Sequence, residues 1–169
     1  MKAILKERKE RGFAVRETPA PNIGPGEVLV EVKASAICGS DINFYIWNHW
    51  CENIVKSLPF IPGHEGCGIV VETGAGVKNL KKGDKVAFET HLPCGMCYQC
   101  THGKQHICRR MALFGHTFDG CFAQMCKVPE IIARKIPDAI SFERGALLEP
   151  MGVALRPVLE GDVKGDTVA

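Results

Sequence analysis

No apolar run in this sequence approaches the roughly 18 residues a membrane-spanning helix needs, so none is expected. The first stretch, Met1 to Gly12, alternates Lys, Arg and Glu with apolar residues and lacks the apolar centre of a secretion signal. Neither sign of charge dominates: the net charge is +2 with 24% charged residues, which gives no reason to expect nucleic acid or an anionic membrane as partner. Internal repeats and low-complexity segments are absent, and no Gly-x-Gly-x-x-Gly dinucleotide fingerprint occurs. These absences point to one ordinary globular domain, with a cytoplasmic location as the default. A hydrophobic content of 46% over 169 residues supplies a core.

The chain does have cysteine, nine in all. An odd number without a secretion signal argues against a disulfide framework and for metal ligands, catalytic groups or small packed residues. The surrounding pattern is mainly β. Glu27 to Ala34 alternates polar and apolar residues as a half-buried strand does, behind a turn cluster at Asn22 to Gly26. Ile69 to Glu72, Lys85 to Glu89 and Phe122 to Val128 read as further strands, with Gly74, Gly76 and Gly83-Asp84 as turns. Helical pattern is confined to Ser141 to Leu159, with Ser141 as N-cap. Pro150 and Pro157 are expected to break it into two short pieces. Many short strands with glycine turns suggest a barrel-like β-domain.

The sharpest motif is Cys94-x-x-Cys97-x-x-Cys100, followed by Cys108. Chained Cys-x-x-Cys turns present three thiolates to one ion, and Cys108 completes a tetrahedron. Four protein ligands leave no open position, so a zinc held here is structural. The loop has few apolar residues of its own, so metal is expected to fix its shape. Four unrelated thiols, or a cluster of iron and sulfide, are the alternatives.

A second constellation is dispersed. Cys38 lies in Ile37-Cys38-Gly39-Ser40-Asp41, His64 and Glu65 in Pro62-Gly63-His64-Glu65, and Glu149 in Leu148-Glu149-Pro150. One Cys, one His and one or two carboxylates form the donor set of a catalytic zinc, which keeps a position for water or substrate. Each residue alone is weak evidence. A single Cys after a strand is more often packing, and a single Glu is more often a solvated face.

Gly63-His64-Glu65 with Gly68, Gly74 and Val77 matches G-H-E-x-x-G-x5-G-x-x-V, the signature of zinc-containing alcohol dehydrogenases. With Cys38 to Asp41, Gly83 to Val86 and the four-cysteine loop, nearly the whole chain resembles the medium-chain dehydrogenase/reductase superfamily. That resemblance implies a mainly β fold: a chaperonin-10 (GroES)-like β-barrel with short helices and a zinc-binding lobe. Within the family, the chain looks most like the L-threonine 3-dehydrogenases, through Tyr45-x-Trp47-x-x-Trp50, Glu89-Thr90-His91 and Leu148-Glu149-Pro150. Sorbitol-type polyol dehydrogenases share the His-Glu and Glu-Pro elements.

The resemblance implies roles. Cys38 and His64 ligate the catalytic zinc, with Glu65 and Glu149 competing for the remaining place. Cys94, Cys97, Cys100 and Cys108 hold the structural zinc. Ser40 accepts the alcohol proton and passes it outward, and His91 selects substrate. Two residues depart from the threonine pattern: Ser40 stands for the usual Thr, and Asn43 for a relay His. Trp47 and Trp50 are expected as core or interface aromatics, and His49, His102, His106 and His116 as non-ligands. Oxidising an alcohol removes a proton and a hydride, and the hydride is expected to go to NAD. Residues 1–160 are expected to be the zinc-binding catalytic domain. Residues 161–169 are expected to begin an absent nucleotide-binding domain, with the isolated fragment inactive. A small-molecule amino-acid or polyol substrate and a tetramer of the full-length protein are implied as partners. A non-catalytic zinc-stabilised binding module and a thiol redox sensor are the competing readings.

Overall fold

The computed structural model describes residues 1–161, so all but the first residue of the expected second domain lie outside the described residues. The chain opens with a short antiparallel pair, β1 (Lys2–Leu5) and β2 (Ala14–Glu17). β3 (Glu27–Ser35) follows the Gly-Pro turn and leads into helices α1 (Gly39–Ile46) and α2 (His49–Ile54). Next come β4 (Gly66–Thr73), β5 (Lys85–Phe88) and β6 (His91–Leu92), then a cysteine-rich lobe with the one-turn helix α3 (Tyr98–Thr101). β7 (Ala112–Leu113), β8 (Met125–Pro129), β9 (Ala133–Lys135), α4 (Phe142–Ala146) and α5 (Leu148–Glu160) complete the described chain. Among the described residues no helix is long and apolar enough to cross a membrane.

The main sheet has five antiparallel strands in the order β8-β3-β4-β5-β9. β8 and β9 sit at opposite edges, about 19 Å apart in a flat sheet at the usual strand spacing. Only Glu130–Ile132 joins them, a 3-10 turn. From Pro129 to Ala133 an extended chain reaches at most about 14 Å, so the sheet has to curl. The turn clasps both sides: Glu130 N–H donates to Gly26 O (2.9 Å) and Glu89 N–H to Ile132 O (2.9 Å). This is the expected barrel-like β-domain. Its interior holds Val28, Val30, Val70, Val86, Phe114 and Val128, all fully buried.

Two expectations shift in detail. The strand read over Phe122–Val128 begins only at Met125. The residues before it turn to β1, where Phe122 O accepts from Ile4 N–H (2.8 Å) and Gln124 N–H donates to Lys2 O (3.0 Å). The helical stretch does split in two, but at Leu147 rather than at a proline. Ser141 caps α4 by accepting from Arg144 N–H (3.3 Å). Pro150 occupies the first turn of α5, where its missing N–H costs nothing. Pro157 sits inside α5, and the helix runs on to Glu160.

Lys6 is an ordering device that the sequence pattern does not announce. It is completely buried, and its ammonium donates to the carbonyls of Glu10, Gly12 (3.1 Å) and Tyr45 (3.2 Å). Its charge lies against the rings of Phe13 and Trp47. It thereby ties the N-terminal loop to the end of α1, the helix that begins beside Cys38. Burial lowers its pKa.

Candidate metal centres and catalytic site

The cysteine lobe is a loop closed at its base by the two-residue pairing of β6 with β7. Cys97 precedes α3, Cys100 lies within it, and Cys108 follows a 3-10 turn at Gln105–Ile107. Ligand atoms of Cys94, Cys97, Cys100 and Cys108 all lie within 4.8 Å of one another. Sγ of Cys97 is 3.5 Å from that of Cys100 and 3.8 Å from that of Cys108. A tetrahedron with zinc–sulfur bonds of about 2.3 Å has edges of about 3.8 Å, whereas a disulfide needs about 2.05 Å. Every cysteine in the described chain is a free thiol. Backbone N–H groups point at the sulfurs: those of Cys94 and Arg110 each lie 3.3 Å from Cys108 Sγ. The N–H of Met96 pulls Cys94 down to about 6, whereas burial pushes Cys100 up to about 12. Four thiols packed this closely ionise together only around a cation. The donor set therefore fits one zinc with no open position.

The second cluster joins three elements. Cys38 caps the start of α1, where its N–H donates to Asp41 Oδ2 (2.9 Å). His64 and Glu65 immediately precede β4, and Glu65 O accepts from Ala36 N–H (2.9 Å), which ties them to the end of β3. Gly63 makes this approach possible: its φ of 93° is left-handed, and any side chain there would run into the Phe122 ring. Ligand atoms of Cys38, His64 and Glu65 come within 4.8 Å of one another. His64 is 3% exposed, and burial lowers its pKa to about 4, which keeps the imidazole neutral as a metal requires. Its Nδ1 and Oδ1 of Asp41 are buried without a hydrogen-bond partner. Burial and the neighbouring Glu149 raise the pKa of Glu65. An unpartnered ring nitrogen on His64, beside the half-buried Cys38 and the buried Glu65, fits a set of metal donors. Burial likewise raises Asp41 to about 6.

Glu149 does not belong to that set. It groups with Glu89 and His91 in a third, more exposed cluster, and its Oε1 accepts from Thr90 Oγ1 (2.7 Å). His91 is held by Glu89, whose Oε1 lies 2.8 Å from Nδ1 and 3.0 Å from the backbone nitrogen. Glu89 raises the pKa of His91 through this hydrogen bond. The two carboxylates read from the sequence as rivals thus occupy neighbouring clusters, with Glu65 beside Cys38 and His64. Asn43 points elsewhere: its side-chain oxygen accepts from Asn48 Nδ2 (2.9 Å).

From the sequence His116 is expected only as a non-ligand and is given no role; it is 7% exposed. Its ring lies tilted against His64 (centroids 4.5 Å apart, 36° between planes), and Nε2 lies 3.1 Å from Ser40 Oγ. No local spacing signals this, because His116 follows β7 and reaches α1 only through the barrel. Burial lowers its pKa to about 4. The four cysteines outside both clusters, Cys51, Cys67, Cys121 and Cys126, are buried small residues.

Comparison with known proteins agrees with this architecture. The alcohol dehydrogenase GroES-like domain matches residues 24–138. The chain is 44% identical to an L-threonine 3-dehydrogenase of Thermococcus kodakarensis over 165 residues, which is 98% of this chain and 47% of that protein. Among solved structures it is similar to galactitol-1-phosphate dehydrogenase from Escherichia coli, with a TM-score of 0.86 and 30% identity over 96% of this chain and 45% of that one. A protein described as a short chain alcohol dehydrogenase from E. coli CFT073, solved with NADH, gives a TM-score of 0.85 and 34% identity over 96% of this chain and 46% of that one. The chain spans about half the length of the curated relatives it matches.

Proposed function

Because this chain belongs to the alcohol dehydrogenase GroES-like domain family, we propose that it carries the metal- and substrate-binding part of an enzyme that oxidises the secondary alcohol of L-threonine to 2-amino-3-oxobutanoate, with NAD as hydride acceptor. NAD would be held outside residues 1–160, in a nucleotide-binding domain that begins near residue 161. The observation that carries the reading is the pairing of a closed four-thiol cluster with a separate, smaller Cys38-His64-Glu65 cluster. The first set has no place for substrate and the second does. Cys94, Cys97, Cys100 and Cys108 would hold the structural zinc, and Cys38, His64 and Glu65 the catalytic one. When bound at the second site, zinc supplies the Lewis acidity that makes an alcohol proton easier to lose.

The chain's own residues do the rest. Ser40, two residues after Cys38 on the first turn of α1, offers its hydroxyl to the departing proton. Glu89, His91 and Glu149 form a neighbouring cluster in which Glu89 is paired with His91, and Glu149 is near enough to raise the pKa of Glu65. The Glu149 carboxylate would suit the ammonium group of threonine. A neutral polyol such as sorbitol has no positive charge for that carboxylate to pair with. This favours the threonine reading over the polyol one, as does the 44% identity to a protein named L-threonine 3-dehydrogenase.

The test is NADH formation by the full-length protein with L-threonine and sorbitol in parallel, with metal content measured on the same samples. Chelator-sensitive turnover of threonine with sorbitol inert is expected. Glu65→Gln should lower the content of one metal ion, whereas Glu149→Gln should raise KM for threonine and leave metal content alone. Preference for sorbitol, or metal loss from Glu149→Gln with none from Glu65→Gln, would overturn the assignment.

A further inference from the structure

We propose that His116 is the positioning residue for Ser40: it holds the serine proton so that the oxygen lone pairs are left to the substrate alcohol. The two nitrogens of the imidazole face different partners. Nδ1 lies 3.2 Å from the carbonyl oxygen of Phe114. A carbonyl only accepts, so Nδ1 carries the hydrogen of that bond. In the neutral ring Nε2 then bears a lone pair, and its partner at 3.1 Å is Ser40 Oγ. The hydroxyl is therefore the donor. With its single proton committed to His116, Ser40 meets an incoming alcohol as a hydrogen-bond acceptor, which aims the alcohol O–H at Oγ; were Oγ to take that proton, its own would pass to the Nε2 lone pair, so the oxygen never carries two.

The ring is fixed on every side. His64 lies tilted against it at 4.5 Å, Phe44 packs at 5.2 Å, and Trp50 stands edge-on at 6.1 Å. Phe114, whose carbonyl orients the imidazole, is itself fully buried in the barrel core. A serine hydroxyl alone rotates among three staggered positions. Here the barrel core sets the Phe114 carbonyl, the carbonyl sets the tautomer, and the tautomer sets the hydroxyl. Nothing in this chain of contacts requires His116 to bind metal or to touch substrate.

The activity readout rests on the function proposed above, whereas a second readout does not. In the full-length protein with L-threonine and NAD, His116→Phe should lower kcat about tenfold, the worth of one well-placed hydrogen bond, with KM for threonine changed less than about twofold. His116→Gln, whose side-chain oxygen can reach the place of Nε2 and accept, should restore most of the loss. In a Ser40→Ala background His116→Phe should cost nothing further. Zinc content should be equal in all variants. Independently of turnover, the 15N resonance of His116 Nε2 should be that of an unprotonated acceptor, and it should move on Ser40→Ala. The proposal is overturned if His116→Phe spares kcat while Ser40→Ala lowers it, if the two losses multiply, or if Nε2 is protonated. If Ser40→Ala itself leaves kcat unchanged, the role proposed for Ser40 fails, and the nitrogen spectrum still decides the His116–Ser40 bond.

Discussion

Replacing Cys100 with alanine removes one corner of the four-sulfur cluster, and the structure says where the consequence falls. The lobe from Cys94 to Arg110 buries almost nothing of its own. Met96 is 70% exposed, Tyr98 68% and Ile107 54%, while Cys100 and Cys108 are the buried residues. Apolar burial therefore contributes little to its order, and metal ligation has to supply it. Zinc sites of this type contribute about 10–16 kcal/mol of apparent binding free energy in small peptides. If loss of one thiolate removes only a third of that, about 4 kcal/mol, the open lobe becomes about a thousandfold more populated. The barrel should survive, because β6 and β7 close the loop at its base and Phe114 anchors the chain beyond it. The assay is limited trypsin digestion beside metal analysis. Lys104, Arg109 and Arg110 are exposed cleavage sites inside the lobe. Cys100→Ala should lose one zinc per chain and be cut at these sites orders of magnitude faster than wild type, with a protected barrel remaining. Unchanged zinc content together with unchanged cleavage would mean that something other than four-thiolate ligation orders the lobe.

Two further outcomes follow from buried charges. Lys6→Met should destabilise the chain by about 2–4 kcal/mol in denaturant unfolding, because three carbonyls lose their donor inside the fold; an unchanged midpoint would mean that those carbonyls find other donors. Asp84 donates stability through Lys135 (2.7 Å) and by accepting from Lys81 N–H (3.0 Å), and the Lys135 hydrogen bond is the main reason its pKa is lowered. A carboxylate held low in the folded state stabilises above its unfolded pKa of about 3.9, and that stabilisation fades as pH falls through the lower folded value. Asp84→Asn should therefore cost about 1 kcal/mol at pH 7 and progressively less toward pH 2, and a pH-independent difference would contradict this.

Features that depend on neighbours along the chain were legible in the sequence. The alternation of Glu27 to Ala34 became β3, and the Cys94–Cys100 spacing became one cluster, because both are set within a few residues. His64 and Glu65 fall beside Cys38 because β4 pairs with β3, a pairing their strand patterns allow. Contacts made by topology left no such trace. The His116–Ser40 bond joins the turn after β7 to α1, and no periodicity links them. Glu149 looked equal to Glu65 as a ligand because one-dimensional reading cannot tell neighbouring clusters apart. The burial of Lys6 contradicts its usual preference and becomes intelligible only when three carbonyls converge on it. Pro157 departs from the local rule, since α5 continues through it, and nothing packed around its exposed residues explains why.

The clasp at Glu130–Ile132 also sets an order of events during synthesis. β3 pairs with β8 about a hundred residues later, so the barrel cannot close until residues 125–135 have left the ribosome. The cysteine lobe, whose first and last ligands are 14 residues apart, is complete well before that. A short loop closes quickly and a long-range pairing slowly. The nascent chain thus presents four thiols to its surroundings while its sheet is still open, and for that interval the availability of zinc, rather than the stability of the barrel, decides whether the lobe is captured or oxidised.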